Sequence, residues 1–210
     1  MRVRSRGAQT VRAVCGIAAP AAFIGGWVAA GAATPGYSPL RQAISQLARE
    51  GAPTRVLMTG AFVAFGMLTP LYARALGDGL ASTALRVSVT TAGLTTLGVA
   101  AFPLSRVEGG AQDVLHAVWA GAGYVAMAVS PLLAAGPLAR LGYGRAAAAS
   151  RVVGALSAGS LAATLAGGAT GGFQRLGLTV VDLWFATVAA ALLRAPECRL
   201  GPAAAAPPVS

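Results

Sequence analysis

Six stretches of the chain run for about twenty residues almost without charge, long enough to cross the roughly 30 Å hydrocarbon core of a bilayer as helices. They cover residues 13–33, 56–75, 86–104, 113–135, 152–170 and 176–194. Lipid cannot satisfy open backbone groups, so such stretches close their hydrogen bonds within helices. The expected fold is therefore all-α, a polytopic membrane bundle of six transmembrane helices. Composition agrees: 10% of residues are charged, against about 25% in soluble domains. The connections at 74–85, 105–112, 136–151 and 171–175 leave no room for a soluble domain. The chain thus divides into a basic N-terminus (1–12), a transmembrane domain (13–194) and a Pro/Ala-rich tail (195–210), expected to be disordered.

The basic residues are all arginine, 16 of them. The absence of Lys and Asn points to a GC-rich genome, as in many bacteria, more than to chemistry. A net charge of +10 raises nucleic-acid binding, but the arginines are scattered singly between apolar runs, and no basic patch forms. Topology accounts for them instead. Six spans place both termini on one side, and that side holds eleven arginines against five opposite. The positive-inside rule then puts both termini in the cytoplasm. The first run can also be read as a signal peptide with Ala30-Gly31-Ala32 as its cleavage site, but it exceeds the usual 7–15-residue apolar region, and a retained helix is expected. Cys15 and Cys198 are too few for a disulfide scaffold and are read as inert thiols on the reducing side.

Between the first two spans lies GYSPLRQAISQLAREGAP, residues 36–53. Ser38-Pro39 reads as N-cap and first helical position, and Gly51 and Pro53 as the stop. Leu40, Ile44 and Leu47 share one face, with Arg41, Gln42, Ser45, Gln46 and Arg49 around it. This predicts a short amphipathic helix in the membrane interface, or a lid over the mouth of the bundle. Packing between spans needs small residues. The fifth span offers Ala155, Gly159, Ala163 and Gly167, continued by Gly171, and the first offers Ala21, Gly25 and Ala29. These rows are read as seams inside one chain, with a homo-oligomer through the Ala155/Gly159/Ala163/Gly167 face as the alternative.

Few polar groups lie at membrane depth. Asp182 falls within the last span, where a carboxylate costs about 2.5–3.5 kcal/mol on insertion scales. It is expected to face inward and share a polar cluster with Arg175, two turns earlier, and with at least one of His116, Asp113 and Ser45. His116, the only histidine, follows Asp113 by three residues. The pair suits general acid–base work, and equally a helix cap beside an interfacial His. By the arginine topology Ser45, Arg41, Arg49, Asp113, His116, Arg175 and Asp182 all belong to the outer half. Arg41, Arg49, Arg175, Asp182 and His116 are the candidate ligand-binding set. Ser45, His116, Asp113 and Asp182 are the candidate catalytic set. One His with two Asp makes a poor zinc site, so no metal or other cofactor is expected. Ser45, His116 and an Asp have the residue types for acyl transfer, without the G-x-S-x-G elbow.

Tyr37-Ser38-Pro39 through Ser45-x-Leu47, Phe102-Pro103 ahead of His116, and Gly171-Gly172-Phe173-Gln174-Arg175-Leu176 with Trp184 together resemble the six-helix bacterial membrane family filed as domain of unknown function 998. The resemblance covers roughly residues 12–194. Members often carry an acidic residue just after the Phe-Pro; Leu104-Ser105 stands there instead, which weakens any conserved acidic or metal-binding cluster. The resemblance implies fold and membrane location, and no activity. Three functions follow from the residues: an integral membrane protein binding a lipid, small ligand or partner in an outer polar pocket; an intramembrane hydrolase of lipid head groups; or a small transporter. Membrane lipid is the expected partner, and nucleic acid is not.

Overall fold

A computed structural model describes residues 6–194. Expectations for residues 1–5 and for the tail 195–210, Cys198 included, lie outside the described residues. The elements are α1 (Arg6–Ala32), a short 3-10 helix (Ile44–Ala48), α2 (Arg55–Gly79), α3 (Thr83–Ala101), α4 (Ala111–Arg140), α5 (Gly144–Leu165) and α6 (Thr170–Arg194). The six long helices are each long and apolar enough to cross a membrane, and no strand occurs among the described residues. The all-α, six-helix architecture expected from the apolar runs is the one observed.

The helix ends show where local chemistry overrules hydropathy. Pro103 pushes Phe102 out of the helical region, to φ −118° and ψ 73°, so α3 stops at Ala101 rather than at residue 104. Between α4 and α5 the polar loop 136–151 is largely helical: α4 runs on to Arg140, α5 starts at Gly144, and Arg145 and Arg151 are exposed on α5. Long arginine stems lie along apolar surface while their heads reach water, so neither residue breaks the helix. Gly167 and Gly168, at φ +87° and +80°, end α5 with backbone that a side chain disfavours.

Each helix packs on the next in sequence, and α6 returns to α1, closing a ring. Across the ring, α6 also touches α2 and α4. The inner face of α2 is Met58, Phe62, Phe65, Thr69, Tyr72 and Leu76, in alternating steps of four and three and all buried, the spacing of a helix face turned to a core. On α6, Val181, Asp182, Phe185 and Ala189 face it. The Tyr72 hydroxyl donates to the Phe185 carbonyl at 3.1 Å, and the two rings meet edge to face at 5.5 Å.

Two sequence expectations fail here. The row Ala155, Gly159 is exposed and Ala163 is only half-buried, as Ala21, Gly25 and Ala29 are exposed or nearly so on α1. The seam inside the chain uses Ala147, Ser150, Gly154, Ser157 and Ser160 instead. In helices this rich in small residues every face offers a small row. What selects the inner one is the hydroxyls, with Ser150 accepting from the Trp184 indole at 2.9 Å.

The second failure is the α-helix expected from Ser38. Residues 38–42 form turns, and only Ile44–Ala48 is helical, as 3-10. Ile44 and Leu47 are 2% and 1% exposed, but Leu40, expected on the same face, is 66% exposed. The segment packs on α1, α2 and α6 and so lies across one end of the ring; residues 37–53 are called the cap below.

Candidate functional site

An α-helix over the cap would use the carbonyls of Pro39, Leu40 and Gln42 for the amides four residues on. The first turn of α6 takes those groups instead. Arg175 Nη1 donates to the carbonyls of Pro39 at 2.6 Å, Gln42 at 2.9 Å and Gly171 at 3.0 Å. The Gly172 amide donates to Leu40 O at 2.9 Å, and the Gln174 side-chain oxygen accepts from the Ile44 amide at 2.7 Å. A Cβ at Gly171 would fall on the Gln42 and Pro39 carbonyls, so glycine there lets the two backbones meet.

Arg175 is 8% exposed and is held by carbonyl dipoles and rings. Its guanidinium sits 5.1 Å from the Trp27 ring centre and 5.5 Å from that of Tyr37, within cation–π range. Its Nη2 donates to the Tyr37 hydroxyl, which in turn donates to Ala43 O at 2.9 Å. Burial pushes the Tyr37 phenol above its usual range, the guanidinium opposing it, so the hydroxyl keeps the proton it donates.

Asp113 serves the neighbouring loop. Its two carboxylate oxygens accept from the amides of Ser105 at 2.7 Å and Gly109 at 2.8 Å, fixing the turn that opens α4. The neighbouring cap residues join that loop: Glu50 N donates to Leu104 O at 2.9 Å, and Gln112 Nε2 reaches Pro103 O at 2.7 Å and the Glu50 carboxylate at 3.1 Å. Arg49 pairs with exposed Glu108 at 2.6 Å, a surface ion pair of small worth. Arg41 is exposed.

Beneath the cap is a cavity of about 60 Å³. Phe23, Phe62, Phe65 and Trp119 supply its aromatic wall, and Ser45, Thr96, His116, Tyr124 and Gln174 its polar groups. His116 Nδ1 lies 2.8 Å from Phe102 O. A carbonyl can only accept, so Nδ1 carries the hydrogen, and in the neutral ring Nε2 is left as an acceptor. The backbone, and not Asp113, thus orients the imidazole. Ser45 and His116 line one cavity, but no hydrogen bond joins them among the described residues. Arg41, Arg49, Asp113, Arg175 and Asp182 are not among the residues lining it.

Asp182 does face the interior, at 0% exposure. The expected cluster with Arg175 does not form: neither carboxylate oxygen has a hydrogen-bond partner among the described residues. The reason is direction. Arg175 reaches back to the cap, away from residue 182 on its own helix. On α6 Leu178 lines the cavity and Asp182 lies one turn below it; on α2 Phe65 lines the cavity and Thr69 lies one turn below. The Thr69 hydroxyl is likewise buried without a partner. Nowhere among the described residues do three His, Cys, Asp or Glu side chains gather as a metal would need.

Sequence reasoning missed Tyr124, Gln174, Thr96 and the aromatic wall. Phe62 and Phe65 were legible as a three-residue step on one face of α2, and Gln174 as the polar residue inside Gly171–Leu176. Tyr124 carried no local signal. Gln174 Nε2 donates to its hydroxyl, a pairing that needs the fold.

Residues 17–191 match the model of a family described as Protein of unknown function (DUF998). No curated protein and no solved structure matches the chain.

Proposed function

The chain belongs to the DUF998 family, proteins of unknown function, and from that premise we propose that it is an integral membrane protein that binds a small amphipathic ligand beneath its cap. The observation that carries this reading is the cavity, an aromatic chamber with a few convergent polar groups, the usual make-up of a ligand site. The arginine asymmetry supports a placement in the cell membrane with both termini cytoplasmic and the cap outside. Organic extracts of the purified protein should contain a bound amphiphile in stoichiometric amount. Ala120→Phe, which fills the chamber, should abolish it, while His116→Ala should weaken it about tenfold. Extracts of wild type and Ala120→Phe with the same lipid content would defeat the reading.

A second reading, an intramembrane hydrolase, is favoured by one detail. His116 is oriented by Phe102 O with Nε2 available in the same chamber as Ser45, so the imidazole could take the Ser45 proton once a substrate draws the two together. A fluorophosphonate probe should then label Ser45, with labelling lost in His116→Ala. Unlabelled Ser45 would eliminate this reading and leave the binding one intact.

A further inference from the structure

A second, smaller crevice lies between α4, α5 and α6, and Tyr124, Gln174 and Leu178 line both it and the chamber. Its other walls include Leu161, Thr164 and Phe173. These sit on a partly exposed, apolar side of the ring, next to Leu165 and Leu176, which are exposed, the surface a bilayer would cover. The partition between the spaces is made of Leu178 and of the Tyr124 hydroxyl and the Gln174 amide, these two joined by a hydrogen bond.

Size and charge restrict what passes. A chamber of about 60 Å³ is far smaller than a whole lipid needs. An occupant with its head in the chamber must therefore extend its chain elsewhere, and the adjoining crevice, at about 10 Å³ too small to lodge a chain, is the opening through which it would reach the bilayer. Among the described residues lining the chamber none is Asp, Glu, Arg or Lys, and the neutral His116, with Nδ1 given to Phe102 O, offers an acceptor and no charge, so an ionised head would be left uncompensated. The His116 Nε2 acceptor calls for a donor.

Resting on the binding reading above, we infer that the ligand is an uncharged single-chain amphiphile with a hydroxyl head, a long-chain alcohol or monoacylglycerol. It enters sideways from the membrane between α4, α5 and α6. Its hydroxyl donates to His116 Nε2, and its chain passes between Tyr124 and Gln174 into the crevice. When Tyr124 is the side chain that moves, Gln174 stays in place and its oxygen keeps hold of the Ile44 amide, so entry does not require the cap to open.

The test uses full-length protein in phosphatidylcholine nanodiscs with two long-chain alcohols, one carrying a diazirine near the head and one at mid-chain. Photolysis followed by peptide mapping should place the first on residues 119–127 and the second on Leu161 or Phe173. Leu161→Trp, at a half-buried position that should not disturb folding, should reduce both adducts at least tenfold; Thr164→Trp, nearer the ring's end, should do the same. Tyr124→Phe should shorten the time to full labelling severalfold. The matching fatty acid should compete at least tenfold less well than the alcohol at neutral pH. If the near-head probe still labels residues 119–127 in Leu161→Trp and Thr164→Trp, sideways entry is overturned and the binding reading survives. Equal competition by the fatty acid overturns the uncharged head. No labelling of residues 119–127 in wild type defeats the binding reading, and this inference with it.

Discussion

Arg175 and Asp182 share a helix and opposite charge, yet the structure uses them for unrelated purposes. Arg175 gathers three carbonyls and a phenol, and hydrogen bonds to a charged group are worth about 1.5–3 kcal/mol each. The planar fork is what reaches several acceptors at once, so Arg175→Lys keeps the charge and still loses part of the set. Thermal melting in detergent should fall by several degrees in Arg175→Lys and further in Arg175→Ala; an unchanged melt in Arg175→Lys would show that charge alone secures the cap. Asp182 behaves in the reverse sense. A buried polar group without a partner costs about 1–3 kcal/mol by mutational measures, so Asp182→Leu should raise the melting temperature by a few degrees. A large fall instead would mean that a water or ligand holds the carboxyl in the membrane. Sequence alone identified both residues as special and could not say how: depth made Asp182 conspicuous, whereas two of the carbonyls that hold Arg175, those of Pro39 and Gln42, lie more than 130 positions away, and no side-chain inventory contains them.

Among the elements, the long helices were legible because hydropathy over some twenty residues is a strong signal; Pro103 and the paired glycines after α5 cut two of them short, while others run on past the apolar stretch, as α5 does by starting at Gly144 and α6 by starting at Thr170. The cap was misread because its periodicity is real but its hydrogen bonds are not local. Tertiary donors and acceptors on α6 outbid the helix for Pro39, Leu40, Gln42 and Ile44. The small-residue rows failed for a different reason. Spacing finds a row without saying which of several faces outward, and on α5 that decision falls to Ser150 and Gly154, whose neighbours are on other helices.

For the whole molecule, the ring follows from short connections that make sequential helices neighbours, and its closure by α6 on α1 was not visible in any one stretch. The connections of α1–α2, α3–α4 and α5–α6 meet at the cap end, where Glu50, Gln112 and Arg175 tie them together. The proposed orientation places that end outside. In a Cys15→Ala, Cys198→Ala background, which leaves no native thiol, Gln42→Cys, whose native side chain is exposed, should react with a membrane-impermeant maleimide on intact cells. Labelling only after lysis would invert the topology.

The order of synthesis gives the α6 clamp a further consequence. Residues 37–44 emerge soon after the first helix, but the amide, glutamine and guanidinium that complete their hydrogen bonding belong to residues 172–175. Until the last helix is made, Pro39, Leu40, Gln42 and Ile44 lack those partners, and Arg41 among them, with Arg49 a few residues further on, is an open tryptic site. A nascent chain arrested at residue 165 should be cut there by trypsin from the cap side, and the finished chain should resist under the same conditions. Protection of the arrested chain would show that the cap is held by something other than α6. If it is not, the segment written second along the chain is among the last to fold, and its resistance to protease marks the moment the ring is shut.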